Sequence, residues 1–284
     1  MILVTGAGGT VGSEVVRQLR SAGAEFRAAY HSESKAQAAR ADGIDAAVID
    51  FNRPGSLAAA LEGIDTLFLI TGGAPNQVEQ EISAADAAKT AGVTHIVKLS
   101  VWGAAEEEFA FARMHRAAEK AIEASGIAWT FLRPIGFMQN MENYSAPTIQ
   151  SQGAFYSSVG DAQVAHVDVR DIAAVAVKAL TEPGHEGKAY SLTGPAAITF
   201  QEIARELSSA SGREIRYVDL TDADLKQGLL GAGMPEPYTD AYLDLMRYYR
   251  TGNAGKISGE IRALTGRDPI AFDQYARDRA GAFA

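Results

Sequence analysis

The first twelve residues constrain this chain more than any other stretch. An apolar run, Ile2 to Thr5, passes directly into Gly6-Ala7-Gly8-Gly9-Thr10-Val11-Gly12, and a helical pattern follows at once. Three of these glycines fall at a spacing of three, and each has a physical task. Gly6 permits a tight turn, Gly9 lets backbone N–H groups come close to a pyrophosphate, and Gly12 lets the helix pack against the strand. The helix N-terminus adds the positive end of a dipole, so strand, loop and helix together make a phosphate cradle. The spacing departs from G-x-G-x-x-G, because Val11 holds the place of the third glycine and Gly12 arrives one residue later. Gly6, Gly8, Gly9, Thr10, Val11 and Gly12 are the first predicted cofactor contacts.

The same alternation continues. Short β-branched and apolar runs recur at Glu25 to Tyr30, Ala46 to Ile49, Thr66 to Thr71, His95 to Ser100 and Trp129 to Arg133. Helical patterns lie between them. One runs from Val11 to Ala22, with Val11, Val15, Val16 and Leu19 on one face, and another from Ala110 to Ser125. Six strands in series with helical crossovers predict an α/β fold, a doubly wound parallel sheet of the Rossmann type, over residues 1–134. Beyond it Gly136, Pro147, Gly153 and Gly160 interrupt the pattern, so residues 135–284 are expected to form a smaller α/β substrate region. The chain is expected to return to the first domain near 163–180, through HVDVRDIAAVAVKAL. Ala189 to Thr193 reads as a further strand. Ile198 onward reads as an amphipathic helix capped by Thr199 with Glu202 and closed by Gly212. At 284 residues the chain has ample length for such a core.

A dinucleotide site needs a partner for the adenosine ribose at the tip of the second strand, where an acid would bond the 2′-hydroxyl. Here the stretch is Tyr30-His31-Ser32-Glu33-Ser34-Lys35, with no acid at the tip. His31, Ser32 and Lys35 suit a 2′-phosphate, so NADPH is the favoured cofactor, while Glu33 leaves NADH open. Asp50-Phe51 at the end of the third strand suits the adenine amino group and ring face, although Asp50 before Asn52 and Pro54 also fits a turn residue. Thr71-Gly72-Gly73 ends the fourth strand at the carboxyl edge, where such folds bind ligands. Composition removes other classes. A formal net charge of -9 disfavours nucleic acid as a partner, and zero cysteines remove disulfides and thiol chemistry. No apolar run approaches membrane-spanning length and Met1 leads directly into a strand, so a cytoplasmic protein is expected. His166 and His185 have no second ligand at metal spacing, so no metal site is predicted. The tyrosine-rich YTDAYLDLMRYY from Tyr238 reads as a lid or as the face of a homodimer.

With LRPIGFMQNM from Leu132, VDVRDIA from Val167, SGIAWTFLRP from Ser125 and GKAYSLTGP from Gly187, the chain resembles the NmrA-like branch of the atypical short-chain dehydrogenases/reductases over nearly its whole length. Within that branch it is most similar to triphenylmethane-dye, azo-dye and quinone reductases. The resemblance implies NAD(P)H-dependent reduction of a small organic acceptor. The branch also contains dinucleotide-sensing regulators without turnover. The chain departs from the parent superfamily at the helix after the fifth strand, where a Tyr-x-x-x-Lys pair normally stands. Here FARMHRAAEKAIEASG places His115 and Glu119 in that register.

Isoflavone-reductase-like relatives carry a catalytic lysine at the position that matches His115. A histidine can donate a proton near neutral pH, its unperturbed pKa being about 6.5, and it can equally form a helical pair with Glu119 one turn on. Ser100 and Pro134 complete the expected cofactor contacts. Trp102, Ile135, Phe137, Met138, Met141, Tyr144, Tyr238 and Tyr242 are the candidate acceptor pocket, with core packing as the alternative for each. The reading is hydride transfer to an electron-poor quinone, azo or triphenylmethane acceptor. A redox-sensing binding module and a carbonyl or imine reductase using His115 are the alternatives.

Overall fold

The computed structural model describes residues 1–73 and 75–284. The chain divides into two compact units. Met1–Ala105, Arg113–Arg133 and Ile172–Ser191 form the first; Glu106–Ala112, Pro134–Asp171 and Leu192–Ala284 form the second.

From the N-terminus, β1 (Ile2–Val4), α1 (Thr10–Ser21), β2 (Phe26–Tyr30), α2 (Glu33–Ala41), β3 (Asp45–Val48), α3 (Pro54–Ala60), β4 (Thr66–Leu69), α4 (Gln77–Ala91), β5 (His95–Leu99), α5 (Ala110–Ser125) and β6 (Ala128–Pro134) follow in order. The sheet runs β3-β2-β1-β4-β5-β6, parallel throughout these six strands, and the strand Lys188–Leu192 extends it beyond β6. This is the expected doubly wound sheet, and its edge strand was predicted one residue later. Chain order reverses between β1 and β4, so the carboxyl ends of these two strands open a crevice for a ligand. Burial on both faces explains why the strands read as apolar runs. Leu3, Leu67, Leu69, Ile96 and Phe131 lie in one core cluster, with Trp129 stacked on Phe131 at 4.2 Å. On α1 the stripe Val11, Val15, Val16 and Leu19 is buried, as its spacing predicts.

In the second unit, strand Ala154–Ser157 pairs in parallel with Arg216–Asp219, and Gln163–Val164 pairs antiparallel with Ile198–Thr199. Thr199 and Glu202 form the predicted capping box at the start of helix Phe200–Ser211. The segment Glu106–Ala112 belongs here because Phe109 packs on Tyr248 at 4.5 Å and the Ala110 N–H donates to Asp244 at 2.8 Å. The tyrosine-rich stretch is the helix Glu236–Arg250, which buries Tyr248 and Tyr249. A π-helical turn, Met141–Ser145, has no counterpart in the sequence reading, since one wide turn leaves no periodic trace. Among the described residues no helix is long and apolar enough to cross a membrane.

Candidate functional site

The glycine loop is built by the strands around it. Thr5 closes β1 against β4: its hydroxyl accepts from the Ile70 N–H and donates to the Ile70 carbonyl, each at 2.8 Å. Gly6 then turns with φ +61°, a conformation that a side chain disfavours. The Gly9 N–H folds back on the Gly6 carbonyl at 2.9 Å. A methyl group at Gly12 would stand 2.1 Å from that same carbonyl oxygen, so only hydrogen fits where α1 crosses the loop. Gly9 caps α1 without a side-chain bond, and the first turn of α1 carries no acid. The turn therefore presents its N–H groups and dipole to an anion. Val11 and Gly12 are buried and can serve a ligand only through their backbone.

A cavity of about 560 Å³ opens beside this loop, wholly within the first unit. Gly6, Gly8 and Gly9 form one wall, His31, Ser32 and Lys35 the second, Asp50 and Phe51 the third, and Thr71 with Gly72 the fourth. Residues predicted from four separate strand ends thus share one space. Lys35 folds over the loop: a methyl at Gly8 would meet its Cδ at 3.2 Å and its Nζ at 3.4 Å. Glu33, the acid that left NADH open, is instead paired with Arg40 at 2.9 Å and does not line the cavity. Asp50 has a turn role as well, since its Oδ1 accepts from the Asn52 N–H at 2.9 Å. Asn52 and Gln80 also line the space; Asn52 Oδ1 accepts from the Gln80 side chain at 3.2 Å and from the Asn76 side chain at 3.0 Å. Sequence reading passed over Gln80 because it reaches the cavity from α4. Its spacing of four from Asn76 was the available signal. Gly73 is exposed outside the cavity wall. The glycine cradle, the basic side chains at β2 and the lack of room for Cβ at Gly12 fit a dinucleotide with a 2′-phosphate.

Ser100 and Pro134 depart from expectation. Both are buried, and the Ser100 hydroxyl donates to Glu119 Oε1 at 2.7 Å. Glu119, itself fully buried, is held by Arg133 through bonds of 2.9 and 2.7 Å and by Arg116 at 3.2 Å. Three cation and hydroxyl donors converge on one carboxylate, so the expected His115–Glu119 helical pair does not form. His115 turns instead to Lys98, whose Nζ lies 2.9 Å from Nδ1. Burial, and secondly the Lys98 ammonium, push the His115 pKa well below its ordinary 6.5. The imidazole is therefore neutral at pH 7, against the expectation of an imidazolium acid. A lysine inside the apolar strand HIVKL was the sequence signal for this contact, and it passed unread.

Of the candidate acceptor residues, Trp102 belongs to the first unit and the others to the second. Ile135, Met138 and Met141 are buried in the core of the second unit, so they correct to packing residues. Phe137 is partly buried and bridges to Val167. Tyr144 and Tyr238 are exposed, Tyr144 lies on the π-helical turn, and Tyr238 packs on Phe111 at 5.2 Å. Burial first, then neighbouring Tyr144 and Tyr238, push the Tyr242 phenol up to about 12. Asp168 is buried and bonds Arg170, which also reaches Asp278; Asp171 accepts from the Ile270 N–H at 2.7 Å. These acids anchor the second unit.

Known proteins resemble this chain over nearly its whole length. The model of the NmrA-like family matches residues 1–271. The NAD(P)H azoreductase of Xenophilus azovorans is 42% identical over 284 residues, which is 100% of this chain and 99% of that protein. The NADPH complex of the Escherichia coli quinone oxidoreductase QOR2 superposes with a TM-score of 0.88 at 31% identity, covering 98% of this chain and 99% of the other. The NADP(H) complex of the Citrobacter sp. triphenylmethane reductase gives 0.87 at 29% identity, covering 99% and 100%.

Proposed function

The chain belongs to the NmrA-like family, and from that premise we propose that it is an NADPH-dependent reductase of small, electron-poor organic acceptors of the quinone, azo-dye or triphenylmethane-dye type. The observation that carries the reading is the cavity in which glycine cradle, Lys35 and His31 converge. When bound there, NADPH supplies the hydride. Gly6, Gly8, Gly9 and the first turn of α1 would hold the pyrophosphate. His31, Ser32 and Lys35 would hold the 2′-phosphate, with Asp50 and Phe51 at the adenine. Such acceptors are electrophilic, so the protein contributes mainly by holding the reactants in register, and the absence of a Tyr-x-x-x-Lys pair is tolerable. Tyr144 and Tyr238 are the residues of the second unit that we assign to the acceptor.

NADPH oxidation measured against quinones, azo dyes, triphenylmethane dyes, ketones and imines tests the activity. Turnover is expected with the first three classes. Tight NADPH binding with silence across the whole panel would replace the enzyme by a binding-only module. Cofactor preference has its own measurement. His31→Ala/Lys35→Ala should weaken NADPH by about 100-fold or more, because two charge-assisted bonds to a phosphate are lost and each contributes about 1.5–3 kcal/mol. NADH affinity should change little, and equal losses for both cofactors would refute the assignment.

A further inference from the structure

Lys98 is fully buried on β5; its ammonium donates to the Leu99 carbonyl at 2.9 Å, lies 2.9 Å from His115 Nδ1 and forms an ion pair with Glu81 Oε2 at 3.0 Å. An ammonium has three donors and no acceptor. Nδ1 must therefore offer its lone pair, which places the ring proton of the neutral imidazole on Nε2. Nε2 faces the Gln77 side-chain nitrogen at 3.5 Å, and that nitrogen donates to Glu81 Oε1 at 3.3 Å. Two donors confront each other across this gap, so Gln77 does not accept the Nε2 proton. Glu81 Oε1 also accepts from the Thr71 hydroxyl at 2.8 Å, which ties the network to a residue lining the cofactor cavity. The charged groups around the ring are Lys98 from β5 and, behind it, Glu81 from α4; on α5 the Glu119 carboxylate is taken up by Ser100 and Arg133. Removing Lys98 alone would leave Glu81 as a buried, uncompensated charge, so the pair acts as one unit.

We propose that Lys98 is a positioning residue and proton source for His115, holding the imidazole in its Nε2–H form and resupplying Nδ1 when Nε2 gives its proton to the reduced acceptor. The second half rests on the reductase reading. A quinone that has gained a hydride from the reduced nicotinamide carries an oxyanion. That oxygen bonds the proton as the Nε2–H bond breaks, and Nδ1 takes one proton from the Lys98 ammonium. The charges before the step, one positive on Lys98 and one negative on the oxygen, are both cancelled after it. His115 is left as the Nδ1–H form and Lys98 as an amine; the pair resets when Nε2 takes a proton from water and Nδ1 returns its proton to the Lys98 amine. A neutral histidine can serve in this way without ever becoming an imidazolium.

The first measurement is a two-bond proton–nitrogen correlation spectrum of the full-length protein labelled at its five histidines, with and without NADPH, from about pH 5.5 to 8.5. The His115 signals, assigned by their loss in His115→Gln, should keep the Nε2–H pattern across the range. An Nδ1–H pattern, or titration near 6.5, would overturn the proposal whatever the activity. The second uses Lys98→Met/Glu81→Gln, which removes the buried pair without stranding a charge. In the intact protein kcat for a quinone should be flat from pH 6 to 8. In the variant kcat should fall by about 100-fold, the scale of lost proton transfer, while NADPH affinity by fluorescence titration stays within about threefold. Unchanged kcat and pH profile in the variant would refute the proton source. If the intact protein reduces no acceptor, the reductase reading and the proton source both fall, and the spectrum alone judges the positioning.

Discussion

Gly12→Ala is expected to weaken NADPH binding by at least 10-fold while leaving a folded, less stable protein. The added methyl would sit 2.1 Å from the Gly6 carbonyl oxygen and 2.6 Å from its carbon, and both are backbone atoms that no rotamer can withdraw. Loop and helix must separate. Overpacking of this kind costs about 1–3 kcal/mol, which corresponds to roughly 2–4 °C in Tm for each kcal/mol. The larger effect falls on the anion, because the N–H groups of the first turn of α1 move out of aim. Losing one or two charge-assisted bonds of about 1.5–3 kcal/mol each weakens NADPH by 10-fold at least and by about 100-fold or more when both go. Gly55→Ala is the control: no heavy atom lies within 4 Å of the new methyl, and α3 should gain about 0.5–1 kcal/mol of stability. Calorimetry of NADPH binding on both variants reads the difference, and equal affinities would remove Gly12 from the cradle.

The largest expected loss of stability belongs to Glu119→Leu. The carboxylate is fully buried and accepts from Ser100, Arg133 and Arg116. Arg116 keeps Glu123, with bonds of 2.7 and 3.1 Å, but Arg133 loses both of its bonds to Glu119 and is left as a largely buried cation. Removing one partner of a buried pair costs about 3–5 kcal/mol, because the desolvated charge left behind has no counterpart. Urea unfolding monitored through the tryptophans should show this as a fall in midpoint. Glu119→Leu/Arg133→Met should recover much of it, since the same argument makes a well-packed apolar pair nearly neutral. A single-variant loss below about 1 kcal/mol would show that water reaches Arg133.

The individual elements differ in how far sequence carried. The cradle from Ile2 to Gly12 was readable in full, because strand, turn and helix start are decided by neighbours a few residues apart. So was the helix at Thr199, whose cap and acid lie three residues from each other and form the box they suggest. The cavity walls were legible residue by residue at the ends of β1, β2 and the two following strands. The alternation of strand and helix sets those ends side by side in any doubly wound sheet. Gln80 was not, since it arrives from the middle of a helix. In the second unit the π-helical turn carrying Tyr144 left no periodic mark, and Met138 and Met141 took the core because no local pattern separates a pocket methionine from a packed one.

The chemistry on α5 shows where the division falls. Sequence could name His115, Glu119 and Ser100 and could pair them only by register along one helix or by position on a strand. In the folded chain Ser100 meets Glu119 across 19 residues, and Lys98 meets His115 across 17. These partners come from β5 and α5, elements that fold next to each other. Fold and cofactor are determined by the sequence alone, since glycine geometry and hydrophobic period act over one or two turns of chain. Which side chain holds which proton is decided only in the tertiary structure, because charges taken out of water must find partners wherever the packing of separate elements puts them.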